Sequence, residues 1–305
     1  MKKLITVLLT AMLFIANSAY AAGTVEDGEK AYSTGKFEQA IKILKPLALK
    51  GVAKAQYDLG IMYDIGQGVA QDYAEAIKWY RLAAEQGLAI AQYNLGVMYS
   101  NGQGVTQDFV EAVKWYKLAA AKGDAAAQFN LALMYDDGQG VAQDYAEAVK
   151  WYKLAAAQGH TKAQFNLALM YEIGHGVVQD FAEAIKWYKL AAKQGYAKAQ
   201  FNLGLKYDNG QGVVQDYAEA VKWYKLAAEQ GDTRAQFNLA LMYEIGHGVV
   251  QDYVSAHMWC NLAAEQGYKD AVNFRDKVAK IMTAVQIAQA QKFARECLAR
   301  KYKGC

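Results

Sequence analysis

Three observations predict an all-α fold, a solenoid of stacked helix hairpins. The six Trp residues stand at Trp79, Trp115, Trp151, Trp187, Trp223 and Trp259, each 36 positions from the last. Ala-Gln pairs keep the same period, opening at Ala55, Ala91, Ala127, Ala163, Ala199 and Ala235, and a fixed period of this size marks a stacked array. Within each period apolar residues recur at helical spacing, the signature of amphipathic helices. Six repeats of 36 residues therefore occupy 53–270.

Each repeat reads as two helices. In the first repeat Ala55, Leu59, Met62 and Tyr63 form one apolar face of a helix A spanning about residues 54–65, which Gly66-Gln67-Gly68 ends because glycine accepts positive backbone angles. Asp72 is expected to cap helix B, with Glu75 completing a reciprocal capping box. The pair returns as Asp108/Glu111, Asp144/Glu147, Asp180/Glu183 and Asp216/Glu219. Helix B runs from Tyr73 to Gln86, packs Ala76, Ile77, Tyr80, Ala83 and Ala84, and stops at Gly87. One hairpin cannot bury both faces of its helices, so stacking on a neighbour is obligatory.

The ends differ from the repeats. Residues 1–21 carry Lys2 and Lys3, an apolar run from Leu4 to Ile15 and Ala19-Tyr20-Ala21, the layout of a secretory signal peptide. The apolar run is too short to span a bilayer. No membrane span is expected once the signal is cleaved, and the mature chain is expected in the periplasm or secreted. Residues 22–52 form a shorter hairpin that caps the array, with Pro46 expected to kink or divide its second helix. Residues 271–305 supply closing helices and a tail, with Thr283 and Gln286 as a capping box. The 33 basic and 30 acidic residues nearly cancel, which gives no reason to expect nucleic acid as partner.

The strings A-Q-[YF]-N-L-[GA]-x-M-Y and G-x-G-V-x-Q-D-[YF]-x-E-A-x-K-W-Y-x-L-A-A, with a closing Gly, resemble the Sel1-like repeat family, relatives of the tetratricopeptide repeats. The resemblance implies a right-handed α-α superhelix that holds proteins or peptides on its concave side without catalysis. The tail MTAVQIAQAQKFAREC resembles the family's closing segment.

Candidate chemistry is sparse. Ser33-Thr34-Gly35-Lys36 spells S-x-x-K, but no S-D-N or K-T-G accompanies it. A cell-envelope hydrolase of the β-lactam-binding type is the alternative function, weakened because the chain lacks the paired cysteines found in each repeat of such members. No catalytic residue is assigned. His160, His175, His247 and His257 share no metal-binding helical spacing. His175 and His247 read as solvated loop residues, and no metal site is assigned. The G-x-G pairs do not extend to G-x-G-x-x-G and follow no strand, which excludes a dinucleotide fold. No cofactor is expected. In an oxidising compartment one of the three cysteines must stay unpaired. Cys260 replaces the packed Tyr of helix B, leaving Cys297 and Cys305 as the expected disulfide.

A 100° wheel of helix A places Leu59, Met62 and Tyr63 toward helix B and Tyr57, Ile61 and Asp64 opposite. That opposite face bears Tyr57, Tyr93, Phe129, Phe165, Phe201 and Phe237 in one row and Ile61, Val97, Leu133, Leu169, Leu205 and Leu241 in the next. A third row carries Asp64, Ser100, Asp136, Glu172, Asp208 and Glu244. These rows either line a groove for an extended peptide with apolar and basic residues or seal one repeat on the next. Beside them stand Asn94, Asn130, Asn166, Asn202 and Asn238, where tetratricopeptide domains clamp a ligand backbone, and Asp58 departs from this in the first repeat. The reading is a monomeric, non-catalytic scaffold for a protein or peptide, in the bacterial envelope or directed at host proteins.

Overall fold

The computed structural model describes residues 23–305; the signal-peptide segment lies outside them. The described residues form sixteen α-helices and no strand. An N-terminal hairpin comprises α1 (Val25–Ser33) and α2 (Phe37–Leu49). The helices that open the repeats are α3 (Ala53–Ile65), α5 (Ala89–Asn101), α7 (Ala125–Asp137), α9 (Thr161–Ile173), α11 (Ala197–Asn209) and α13 (Thr233–Ile245). Their followers are α4 (Tyr73–Glu85), α6 (Phe109–Ala121), α8 (Tyr145–Ala157), α10 (Phe181–Lys193), α12 (Tyr217–Ala228) and α14 (Tyr253–Glu265). The chain closes with α15 (Lys269–Ala279) and α16 (Ala284–Ala299). It divides into two compact bodies, up to Asp144 and from Tyr145, so the third repeat gives one helix to each. Within each body, consecutive helices pack in tandem.

Helix boundaries follow from local chemistry. The glycine after each helix A takes the left-handed conformation, as Gly66 does at φ 71°. The Gln of the V-x-Q-D string then closes the same turn: Gln71 Nε2 donates to the Asp64 carbonyl at 2.7 Å. Asp72 caps α4 by accepting from the Glu75 amide at 3.0 Å. The expected capping box is only half made. The Asp72 N–H already donates to the Tyr63 carbonyl at 2.9 Å, and the Glu75 carboxylate pairs with Lys78 at 2.7 Å instead of reaching back. The Thr283/Gln286 box is complete, with both arms formed. Pro46 does not divide α2. It sits in the last turn, where only three further residues depend on the ladder.

The core is built from the small residues and phenols of helix B. Ala76, Tyr80, Ala83 and Ala84 are buried beside Ala91, Leu95 and Met98 of the next helix A, and Ala184, Tyr188, Ala191 and Ala192 repeat this beside Ala199 and Leu203. Alanine lets the backbones approach, and the phenol fills the remaining volume.

Two contacts lock repeat to repeat. The Gln of each opening Ala-Gln pair is buried and donates to the end of the preceding helix: Gln92 Nε2 to the Ala84 carbonyl at 2.9 Å and Gln200 Nε2 to the Ala192 carbonyl at 3.1 Å. This adds a side-chain donor from the next repeat to a helix-terminal carbonyl that the turn glycine's amide also reaches, at 2.9 Å from Gly87 to Ala84 and 3.0 Å from Gly195 to Ala192. The second glycine of each connector rests on the start of the preceding helix B. A Cβ at Gly176 would fall 2.2 Å from the Tyr145 carbonyl oxygen, so only glycine fits there.

The C-terminal end departs from the repeat. Cys260 takes the phenol position of the last helix B and is fully buried, with its thiol pushed up to about 12 by burial. Cys297 and Cys305 form a disulfide with a Cα–Cα distance of 5.5 Å. Met258 and Leu262 of α14 are buried in one cluster with Val278, Ala290, Ala294 and Cys297.

Candidate partner-binding face

The rows on helix A are not opposite helix B as the wheel projects. Tyr80 reaches from α4 far enough that its ring lies 5.8 Å from that of Tyr57, and its hydroxyl donates to Asp64 Oδ2 at 3.1 Å. The same geometry recurs with Tyr93 and Tyr116 at 6.1 Å, Phe165 and Tyr188 at 5.8 Å, and Phe201 and Tyr224 at 6.0 Å. In these four repeats the first-row aromatic therefore packs on the phenol of its own repeat. Tyr57, Tyr93, Phe129, Phe165 and Phe237 remain half-buried, while Phe201 is 7% exposed because Arg234 of the next repeat lies over its ring at 4.2 Å. Phe165 also meets Tyr196 edge-on at 5.2 Å, and Phe237 meets Phe274 at 5.8 Å.

The asparagines are occupied within the chain. Asn166 Nδ2 donates to the Tyr152 hydroxyl and Asn202 Nδ2 to the Tyr188 hydroxyl, both at 3.1 Å. Asn94, Asn130 and Asn238 stand beside Tyr80, Tyr116 and Tyr224 in the same register. The third row faces the same phenols: Tyr188 donates to Glu172 Oε2 at 2.6 Å and Tyr224 to Asp208 Oδ2 at 3.0 Å. A ladder results, in which the acid and phenol of one repeat are joined to the asparagine of the next. Burial, reinforced by the carboxylates, raises the ionisation of Tyr80, Tyr188 and Tyr224 far above the usual phenol range. Tyr116, whose repeat has Ser100 in place of the acid, is pushed up to about 12 by burial.

The second row of helix A is likewise only partly covered. Ile61, Val97, Leu133, Leu169, Leu205 and Leu241 are all half-buried, although the neighbouring Leu59, Leu95, Leu131, Leu167, Leu203 and Leu239 are fully enclosed. Within each body such a row can hold an apolar partner surface, and none of its side chains is a nucleophile or a general base.

The Sel1 repeat pattern matches six consecutive segments, residues 53–88, 89–124, 125–160, 161–196, 197–232 and 233–268. The chain belongs to the Sel1 repeat family. Among solved structures it is similar to a Sel1 repeat protein from Oxalobacter formigenes, at 34% identity and a TM-score of 0.68, over 78% of this chain and 96% of that one. It is also similar to c5321, a protective antigen present in uropathogenic Escherichia coli strains and displaying an SLR fold, at 28% identity and a TM-score of 0.53, over 94% of this chain and 85% of that one. No curated protein sequence matches it. Sel1 repeats generally mediate protein interactions, and the family is typically non-catalytic.

The remaining candidates in this Sel1 repeat protein have structural partners. His175 and His247 are not free loop residues but stack on Tyr145 and Tyr217, with ring centroids 4.5 and 4.3 Å apart. Ser33 spends its hydroxyl on the Lys30 carbonyl at 3.1 Å. Among the described residues no group of three His, Cys, Asp or Glu is placed to hold a metal ion. No described helix is long and apolar enough to cross a membrane.

Sequence reasoning treated the Ala-Gln pair as a period marker and missed that its glutamine latches the repeats. The signal was present: a polar residue at an apolar position in all six copies. Lys206, the one lysine at a position where the other five repeats place Met, was also missed. It is buried and pairs with Glu172, and it donates to Gln211 Oε1 at 2.6 Å.

Proposed function

We propose that this Sel1 repeat protein is an exported, non-catalytic scaffold that holds a protein or peptide partner on the face formed by its opening helices. The observation that carries this reading is the half-buried aliphatic row, Ile61, Val97 and Leu133 in one body and Leu169, Leu205 and Leu241 in the other. It lies beside the half-buried first-row rings, which add aromatic footing. Partly exposed apolar side chains that recur at one position on successive helices can form an interaction surface. The charged N-terminal run, the apolar stretch and Ala19-Tyr20-Ala21 support delivery to the periplasm or beyond. The partner lives in the bacterial envelope or on a host, and the mechanism of holding it is the same in both.

A photo-crosslinking residue placed at Leu133 or Leu169 in the full chain, compared with one at the exposed Leu154 of α8, tests the face. Crosslinked partner is expected from the first two positions. Crosslinking at Leu154 alone would move the interface to the following helices. Fractionation of cells expressing the full chain tests export, and a product confined to the cytoplasm with residues 1–21 uncleaved would overturn it.

A further inference from the structure

The ladder that ties the repeats together loses its phenol once inside the first body, where the N-terminal hairpin meets the first repeat. The correspondence is fixed by packing. A Cβ at Gly28 would strike Leu44, just as a Cβ at Gly60 would strike Tyr80. Leu44 of α2 therefore stands in the phenol position. By the same register Tyr32 of α1 stands where Asp64 stands in the first repeat, and Asp58 of α3 stands where Asn94 stands in the second. Acid, phenol and amide have become phenol, alkyl and carboxylate.

The substitution removes the central hydroxyl and leaves space. A cavity of about 260 Å³ opens there, lined by Glu29, Tyr32, Leu44, Tyr57, Asp58 and Ile61, with Lys54 beside it. Its donors and acceptors do not balance. In the intact ladder the asparagine donates to the phenol and the phenol donates to the acid. Asp58 brings an acceptor where the ladder has a donor, and the phenol it would need is gone. Lys54 spans Glu29 Oε1 at 2.6 Å and Asp58 Oδ1 at 2.5 Å, while Asp58 Oδ2 is enclosed with no hydrogen-bond partner. The Asp58 side chain is only 12% exposed, and an enclosed carboxylate oxygen without a donor is costly. Two carboxylates against one ammonium also leave the site negative.

We infer that this cavity, built where Leu44 and Asp58 replace the phenol and amide of the ladder, binds a primary ammonium carried on a small apolar or aromatic body. The ammonium donates to Asp58 Oδ2 and neutralises the surplus charge, and the body rests on Leu44, Ile61 and the rings of Tyr32 and Tyr57. The rings add attraction for a cation at close range. Lys54, with its side chain 45% exposed, is the wall able to turn aside. The volume falls just below the roughly 300–1,000 Å³ of pockets that take drug-sized ligands, which suits one residue or a one-ring amine. The same chemistry is offered by a lysine side chain or free N-terminus of a polypeptide and by a free small amine. The inference does not depend on where the partner of the aliphatic strip binds.

Calorimetric titration of the full chain with tyramine and with N-acetyltyramine tests it. Saturable binding of tyramine, at least tenfold weaker for the acetylated compound, is expected. Asp58→Asn, which installs the residue the other repeats carry, should weaken tyramine at least tenfold without lowering the melting temperature. Leu44→Tyr, which refills the seat, should abolish binding. An N-acetylated peptide containing lysine, set against a lysine-free peptide with a free N-terminus, identifies the source: binding by either names a polypeptide group, and binding by neither while tyramine binds names a free amine. Absence of saturation by tyramine up to about 10 mM, tenfold weaker than a constant of about 1 mM, overturns the inference. So does equal binding by the Asp58→Asn chain.

Discussion

Tyr188 donates its phenolic hydrogen to Glu172 Oε2 at 2.6 Å across the two helices of one repeat. The same hydroxyl accepts from Asn202 of the following repeat, so a single oxygen joins three helices. Asn202→Ala should therefore cost stability, ~1 kcal/mol for the lost hydrogen bond, and leave partner capture unchanged. Urea unfolding read beside a binding assay checks this. Intact stability with weakened capture would return the asparagines to the role of ligand clamps.

Lys206 is 6% exposed and its ammonium is held by Glu172 and Gln211. Glu172→Gln leaves that buried charge without its counter-ion and should destabilise the chain by ~3 to 5 kcal/mol. Lys206→Met restores the residue of the other repeats, while Tyr188 still serves Glu172, so its effect should stay within about 1 kcal/mol. Adding Lys206→Met to Glu172→Gln should recover most of the loss. Failure of the double variant to recover would show that the carboxylate matters through Tyr188 alone.

Phe165 packs on both Tyr188 and Tyr196, whereas Leu169 belongs to the half-buried aliphatic row. Phe165→Ala should lower stability by ~3 kcal/mol or more through the cavity it leaves. Leu169→Asp should instead weaken partner capture at least tenfold, ~1.4 kcal/mol, with a smaller change in melting. A Leu169→Asp chain that melts normally and captures normally would sink the binding face.

Gly159 and Gly176 both have positive φ, at 85° and 68°. A Cβ at Gly159 meets nothing within 4 Å, while one at Gly176 meets the Tyr145 carbonyl at 2.2 Å. Gly159→Ala should cost only the left-handed backbone penalty, ~1 to 2 kcal/mol. Gly176→Ala should cost clearly more, since backbone must move. Equal melting temperatures for the two variants would mean that the connector does not press on α8.

Alkaline pH should loosen the array. Tyr80, Tyr116, Tyr188 and Tyr224 all ionise above the ordinary phenol value when folded, chiefly because burial disfavours the phenolate. On unfolding they ionise near about pH 10. Their contribution is complete below that value and falls as pH rises through the folded values, because the unfolded chain then releases protons that the folded chain keeps. Each phenol contributes up to ~1.4 kcal/mol per pH unit. Melting temperatures between about pH 8 and 11 should be flat at first and then fall, less steeply in a Tyr188→Phe chain. A flat profile throughout would contradict the enclosure of these phenols.

The period, the helix pairs and the buried alanines were legible because each depends on spacing alone. The contact of the Tyr80 ring with Tyr57 was not. A helical wheel assigns faces to one cylinder, and Tyr80 reaches around helix A from a neighbour whose crossing the wheel does not contain. The half-made boxes at Asp72 and its counterparts were misread because a local string does not show that the capping residue's own N–H is already taken by Tyr63. The cavity at Asp58 was hidden by register. The N-terminal hairpin has a connector four residues shorter, so its Gly28 aligns with Gly60 at 32 residues and its Leu44 with Tyr80 at 36.

Because one repeat supplies the phenol of each rung, with an acid beside it except where Ser100 stands, and the next supplies the amide, the interior joints are made from nearly the same two halves. An unequal recombination that removes or duplicates 36 residues at any starting point regenerates an intact rung at the new seam. Length can then vary in a lineage without a new interface being invented, and selection for novelty falls on the two ends. There the phenol has become Leu44 and Cys260, and the amide Asp58 and Phe274.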